Sequence, residues 1–450
     1  MTRVTGIKTS RIRNFFAFQR DPLGFLVEVL HDGDLVSLRT SKRRPTFIVN
    51  SPEFVQEILA GKDEFFRKGR SSDVLRRTIG DGLLTTERAQ HHRQKKYMTP
   101  AFYKERIQMY ARIVEEETAR IADEWTDGLP VAMHDAMMRL TLGIIARSMF
   151  ATELEERKAE LAEAVDVTIR RTAQTLFSPF SLPFAVPTPR HQSHKRAIQK
   201  LESMVYEAIE DAKANPGRYK DCLLGLLLDT KDEEGTPLPD KEIRDQMMTM
   251  LLAGHETTAN ALVWAWHLLA RNPQAAELFY RELDAVYAEE ELPGATVPPF
   301  ELFRKLAYTQ RVVQETLRLY PPAWIILREA VAEVDLLGET FPAGSSFLIS
   351  PYAMHRNDRV FGDAGAFRPD RFAEESGGWP RFAYFPFGWG SRGCIGSQFA
   401  MMEATLILAG LGRRFRFVSE PGVTTEPEPL VSLRVRGGLR MIPQERGAGG

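Results

Sequence analysis

Two cysteines occur in the 450 residues, and one of them sits where a sulfur could do chemistry. Cys394 lies in Phe387-Gly-Trp-Gly-Ser-Arg-Gly-Cys-Ile-Gly396, a glycine-rich loop that ends where a helical run begins. A metal-binding thiolate needs backbone N–H groups aimed at its sulfur, and a flat cofactor lying against it needs neighbours without side chains. Gly388, Gly390, Gly393 and Gly396 meet both needs. The positive end of the following helix favours the charged sulfur. Arg392, two residues earlier, is placed to meet a cofactor carboxylate. Cys222, in Asp221-Cys-Leu-Leu-Gly-Leu-Leu-Leu228, reads instead as core filler.

Three further motifs carry less when taken singly. Ala253-Gly-His-Glu-Thr-Thr258 falls in the middle of a helical run from about Asp240 to Arg271, roughly 48 Å long at 1.5 Å per residue. The run is mostly apolar and should cross the protein centre, while His255 and Glu256 at its midpoint argue against a membrane span. Gly254 and threonine hydroxyls that compete for backbone carbonyls predict a kink or groove. Glu315-Thr-Leu-Arg318 puts an acid and a base one turn apart, which alone is a surface ion pair. His91-His-Arg-Gln-Lys-Lys96 is a dense basic cluster, which alone is a solvated helix face.

Together the four motifs resemble the cytochrome P-450 family: the cysteine run has Phe, Gly, Arg, Cys and Gly at the spacing of its haem-binding signature. The resemblance runs from about residue 20 to 440. It implies a single, mainly α domain spanning 1–450 with a small β-rich region, holding haem b between the long helix and the cysteine loop. It makes Cys394 the axial ligand of the haem iron and puts Phe387, Gly388, Gly396 and Ala253 against the cofactor. It assigns Thr257 and Glu256 to proton delivery in an oxygen-binding groove, where chemistry needs a relay through hydroxyls and water. Haem carboxylates are expected to meet His92, Lys96, Arg328 and Arg392, with Lys96 departing from the arginine usual in the family. Glu315, Arg318 and Arg371, the last in Phe367-Arg-Pro-Asp-Arg-Phe372, form the cluster that locks the loop before the cysteine.

The implied reaction is insertion of one oxygen atom from O2 into a lipophilic small molecule, by hydroxylation or epoxidation. Leu319-Tyr-Pro-Pro-Ala-Trp-Ile-Ile326 resembles bacterial members that oxidise terpenoids, carotenoids or fatty acids. Pocket walls are expected from Leu83, Leu84, Phe177, Phe180, Ala253, Ala323, Trp324 and Ile325, with Leu182, Phe184 and Val186 in the same Pro-punctuated connection as the two phenylalanines. Electrons are expected from a ferredoxin or flavodoxin with its NAD(P)H reductase, docking by Arg93 and Lys95. A peroxide-using peroxygenase of the same fold typically replaces the acid and threonine kept here as Glu256 and Thr257. A non-catalytic haem sensor has no need of the pair.

The elements that must hold these groups follow from periodicity. Leu35–Thr40 and Thr46–Asn50 read as a hairpin, and Arg328–Tyr352 as a second β-rich patch with a turn at Pro342-Ala343-Gly344 joining two strands; the β-rich parts are placed at about 30–52 and 326–352. Helical period marks Phe102–Trp125, Met133–Phe150, Ile198–Ala214, Pro273–Glu291 and Gly396–Phe415. About thirty residues from Arg356 to Phe387 are aromatic-rich and aperiodic, an ordered loop of functional length. A flexible tail is expected at about 443–450. With 59 Lys and Arg against 60 Asp and Glu, no global charge favours nucleic acid. Two cysteines exclude a disulfide scaffold and suit a reducing cytoplasm. The first thirty residues, broken by Arg20, Asp21 and Pro22, read as neither anchor nor signal but as a solvated amphipathic segment. A monomer is expected.

Overall fold

The computed structural model describes residues 4–447 apart from 8, 39–43, 152–157, 178–183, 185, 233, 289–296, 374–377 and 423. Helices dominate, and the reason is visible in their faces. Lys104–Asp123 buries Ile107, Tyr110, Ala111, Val114, Thr118, Ile121 and Ala122, the three-and-four spacing of an amphipathic helix. Each such aliphatic side chain taken from water stabilises the fold by roughly 1.5–3 kcal/mol. Met133–Phe150 and Ser397–Arg414 are buried over most of their surface because they form the inner layer against the long helix.

That long helix runs unbroken from Asp240 to Arg271, the expected bounds, and is buried almost throughout. Through Ala253–Thr258, where a kink or groove is expected, the helix continues without interruption. Gly254 serves close packing instead: a Cβ there would lie 2.8 Å from Cδ1 of Ile145 on the neighbouring helix. Thr141 Oγ1 donates to the His255 carbonyl at 3.1 Å, tying the same two helices together.

A six-stranded mixed sheet joins strands from the first seventy residues to two strands between 326 and 349. The strands follow the order Val4–Gly6, Leu35–Ser37, Thr46–Val49, Ser346–Ile349, Ile326–Ala330, Phe66–Arg67. Leu35–Ser37 and Thr46–Val49 pair antiparallel with Leu35 opposite Val49, as the hairpin reading requires. Part of the joining turn lies outside the described residues. The turn at Pro342–Ser345 is present, with Gly344 at φ 84°, but its flanking strands do not pair with each other. Glu339–Phe341 pairs with Val334–Leu336, whereas Ser346–Ile349 pairs with Thr46–Val49 and Ile326–Ala330. The turn thus hands the chain from a small ribbon to the main sheet.

Residues 443–445, placed in the expected flexible tail, belong to the strand Arg440–Glu445, which pairs with Phe415–Ser419; residues 448–450 lie outside the described residues. Arg446 then anchors the end through Gly412 O at 2.9 Å and Asp284 at 2.7 Å. Among the described residues no helix is long and apolar enough to cross a membrane.

Candidate functional site: a cysteine loop, a grooved helix and buried cations

The cysteine loop is shaped by its glycines. Gly388 and Gly390 hold φ of +66° and +70°, the left-handed region that a side chain disfavours. At Gly390 a Cβ would also sit 1.9 Å from the Leu59 carbonyl oxygen, so the loop is pressed onto that segment. A short 3-10 turn, Gly390–Arg392, leads to Cys394, whose N–H donates to the Phe387 carbonyl at 2.9 Å. Gly396 caps the helix Ser397–Arg414, and its N–H is directed at the Cys394 sulfur.

Cys394 is exposed by surface area, yet surrounding protein raises its thiol pKa, opposed by the Gly396 N–H and the Lys95 charge. Both hold because the sulfur faces a hollow inside the fold and not bulk solvent. The long helix shows a matching opening. Between buried Leu251 and buried Ala259, the half-buried residues are Leu252, Ala253, Gly254 and Thr257, and of these Ala253 and Thr257, one turn apart, share a side. Thr257 Oγ1 donates to the Ala253 carbonyl at 3.0 Å, which leaves its oxygen to act as an acceptor.

Glu256 points elsewhere. It is buried, and Oε1 accepts from Nε and NH2 of Arg434 at 2.9 and 2.8 Å. Arg434 stands on the strand Leu433–Val435 and also approaches Asp166 at 3.5 Å. The acid and the threonine are therefore adjacent in sequence but turned to different surroundings, and Arg434 is a partner 178 positions away that no local spacing announces.

The cations differ from expectation by one residue. On the helix Arg88–Met98, His92 and Lys96 are exposed, whereas His91 is buried and Lys95 half-buried. Lys95 Nζ donates to Ser391 O at 2.7 Å in the cysteine loop, and the Arg392 charge weighs on both His91 and Lys95. Two adjacent i,i+4 pairs existed in His91-His92 and Lys95-Lys96, and the inward one is His91 with Lys95. Lys95 is accordingly engaged inside, and Arg93, expected as a docking contact, is exposed but paired with Glu242 at 2.7 Å.

Arg328 and Arg392 do come together with this pair, joined by Lys68, which sequence reasoning missed. Arg392 bonds Thr86 O and Glu87, each at 2.9 Å. Among the described residues Arg328 bonds the carbonyl of Leu327, at 2.9 Å, and burial beside Arg392 lowers its pKa to about 10. Lys68 Nζ bonds the carbonyls of Leu83 and Leu84 at 3.0 and 2.7 Å, and burial with neighbouring arginines lowers it to about 7. His91 is pushed down to about 3 by burial and the same cations. Arg328 and Lys68, half-buried and with carbonyls as their hydrogen-bond acceptors among the described residues, call for an anion.

Behind the cysteine loop, Glu315 and Arg318 are fully buried and joined at 2.7 and 2.8 Å. Arg371 reaches Glu315 at 3.1 Å, and the two arginines donate to the carbonyls of His355, Gly362, Asp363, Ala364 and Ala366. The expected cluster is thus a clamp on the aperiodic loop. His355, not singled out from the sequence, completes it: Nε2 accepts from Phe385 N–H at 3.0 Å while Nδ1 donates to Arg318 O at 3.2 Å.

Of the expected pocket residues, Leu83 is buried, and Leu84 and Ala323 are exposed. Trp324 turns away into the core formed with Leu26, Val36 and Ile48, its Nε1 donating to Leu430 O at 2.9 Å, and Ile325 packs against the same cluster. Trp324 is fully buried between the helix Pro22–Val29 and the main sheet and supplies no open wall, whereas Ile325 stays half-buried. Phe180, Leu182 and the Phe177 side chain lie outside the described residues; Phe184 packs on His191 and His194, and Val186 is exposed.

A sulfur met by the Gly396 N–H, and the half-buried cations Arg328 and Lys68 with carbonyl partners alone among the described residues, together suit haem, which brings a thiophilic iron, a flat face and two carboxylates. The comparisons agree. The Cytochrome P450 family model matches residues 23–438. The chain is 38% identical over 430 residues to Cyclooctatin synthase of Streptomyces melanosporofaciens, covering 95% of this chain and 92% of the relative. It is 33% identical over 418 residues to Pentalenene oxygenase of Streptomyces avermitilis (92% and 91% covered). To Cyclooctat-9-en-7-ol 5-monooxygenase of Streptomyces melanosporofaciens it is 34% identical over 414 residues (91% and 88%). This chain belongs to the cytochrome P450 family, and it is a haem-dependent monooxygenase.

Proposed function

We propose that the chain hydroxylates or epoxidises a terpenoid, with Cys394 as the haem ligand. The observation that carries the substrate class is near full-length likeness to oxygenases named for cyclooctat-9-en-7-ol and pentalenene. Haem held at the sulfur supplies oxygen activation, since a thiolate donates electron density that favours O–O cleavage. The protein's own residues do the rest. Gly396 N–H and Lys95 stabilise the sulfur's charge. Arg328, Lys68, His91, Lys95 and Arg392 orient the cofactor by its carboxylates. Because Thr257 gives its own proton to Ala253 O, it offers lone pairs to the groove and holds a proton-bearing water or oxygen there. Glu256, fixed by Arg434, reaches that water only by swinging out of its ion pair, so proton supply is gated by this contact.

Electrons come from a separate ferredoxin or flavodoxin with its reductase, in a reducing cytoplasm. Retention of Glu256 and Thr257 favours O2 over peroxide as oxidant. The test is a panel of cyclic terpenes titrated against the holoenzyme while the Soret band is followed. Turnover under labelled O2 should then give product carrying one labelled oxygen. Terpenes that neither shift the band nor react, while fatty acids do, would replace the substrate class.

A further inference from the structure

The amino-terminal helix Arg11–Arg20 has two apolar sides. Its inner side is accounted for: Asn14 is buried, Ala17 and Phe18 pack on the cluster around Leu23 and Leu26, and Phe18 meets Phe25 edge-on at 5.9 Å. Its outer side is not. Ile12, Phe15 and Phe16 are 71%, 45% and 64% exposed, and they are three of the nine large hydrophobic side chains exposed among the described residues. At ~100° per residue they lie in one outward arc opposite Asn14, which the exposed Gln19 joins in the last turn. Arg11 falls on one edge of the stripe, Arg13 and Arg20 on the other, all exposed. The helix contains no acid, and no ion pair ties these three arginines among the described residues. Asp21, at its end, is occupied by capping Gly24 N–H at 2.9 Å.

A contiguous apolar stripe on a surface marks an interaction. Here the rim is cationic on both edges, and the apolar members are aromatic and branched chains on one projecting helix, the pattern of a segment lying in a bilayer interface. We propose that this helix docks the enzyme onto an anionic lipid surface. Ile12, Phe15 and Phe16 enter the headgroup boundary, and Arg11, Arg13 and Arg20 meet lipid phosphates. The proposal does not depend on which molecule is oxidised.

The test floats the intact holoenzyme with vesicles of phosphatidylglycerol and phosphatidylcholine, and with phosphatidylcholine alone. Binding should be at least tenfold stronger to the anionic vesicles and should fall with salt. Phe15→Ser with Phe16→Ser should lose at least tenfold, and each Arg→Gln at 11, 13 or 20 about fivefold. These side chains are exposed, so the Soret band and melting temperature of the variants should match the parent; Ile12→Ser alone serves if the double variant is impaired. No flotation at low salt, or flotation that the variants retain, overturns the proposal. So does capture by an acidic polypeptide without any vesicle binding.

Discussion

Arg328 offers the sharpest perturbation, because its environment makes opposite demands with and without the cofactor. Burial lowers its pKa from the ordinary arginine value to about 10, with Arg392 adding to the fall. That is worth ~3 kcal/mol against the charged form. The penalty is present at every pH below about 10, since there the folded protein carries the charge less willingly than the unfolded chain. The bond to Leu327 O offsets about 1 kcal/mol. Arg328→Met should therefore make the apoprotein more stable by ~2 kcal/mol in urea unfolding at neutral pH. With haem bound the sign reverses: a charge-assisted bond to a carboxylate contributes roughly 1.5–3 kcal/mol. Loss of haem to a competing apoprotein acceptor should then quicken about 10- to 100-fold. An Arg328→Met apoprotein more than about 1 kcal/mol weaker than the parent, with haem release unchanged, would refute the reasoning.

Three other outcomes follow from the same geometry. Glu315→Gln strips two buried guanidiniums, Arg318 and Arg371, of their carboxylate, and should cost ~3–5 kcal/mol in thermal or urea unfolding. A loss under about 1 kcal/mol would mean the carbonyls alone hold the clamp. Gly390→Ala meets both a positive φ and the Leu59 carbonyl, so it should sharply reduce haem occupancy on purification. Gly437→Ala, at φ +73° with open space around it, should cost only about 1 kcal/mol; equal effects would deny the close approach. His255 and His355 are held neutral by burial, at about 4 and about 3. Unfolded chain takes up protons below ~6.5 and the folded protein does not, so their contribution is intact above that pH and drains away below it. Between pH 6.5 and 5.5 the two should remove roughly 2 kcal/mol of stability, read from urea midpoints; a flat profile would contradict this.

Much of the chemistry was legible because it is local. The long helix could be bounded from its apolar run, and Cys394 stood out because a lone cysteine among four glycines has few other uses. Glu315 and Arg318 were visible as a pair, but their burial was not, since an i,i+3 spacing looks alike on the surface and in the core. The basic helix misled for a related reason: with His91-His92 and Lys95-Lys96 in tandem, the spacing fits either face, and only packing chooses. Trp324 was read as pocket wall because bulky apolar residues serve walls and cores equally. Lys68, His355 and Arg434 act through contacts across the fold, Arg434 with Glu256 and Lys68 with the carbonyls of Leu83 and Leu84, which no periodicity encodes.

The ligation of haem iron by Cys394 is tested most directly by the carbon monoxide difference spectrum of the dithionite-reduced protein. A strongly red-shifted Soret band, lost in Cys394→Ser and kept in Cys222→Ser, is the predicted result. A spectrum typical of histidine-ligated haem, or one that Cys394→Ser leaves intact, would contradict it.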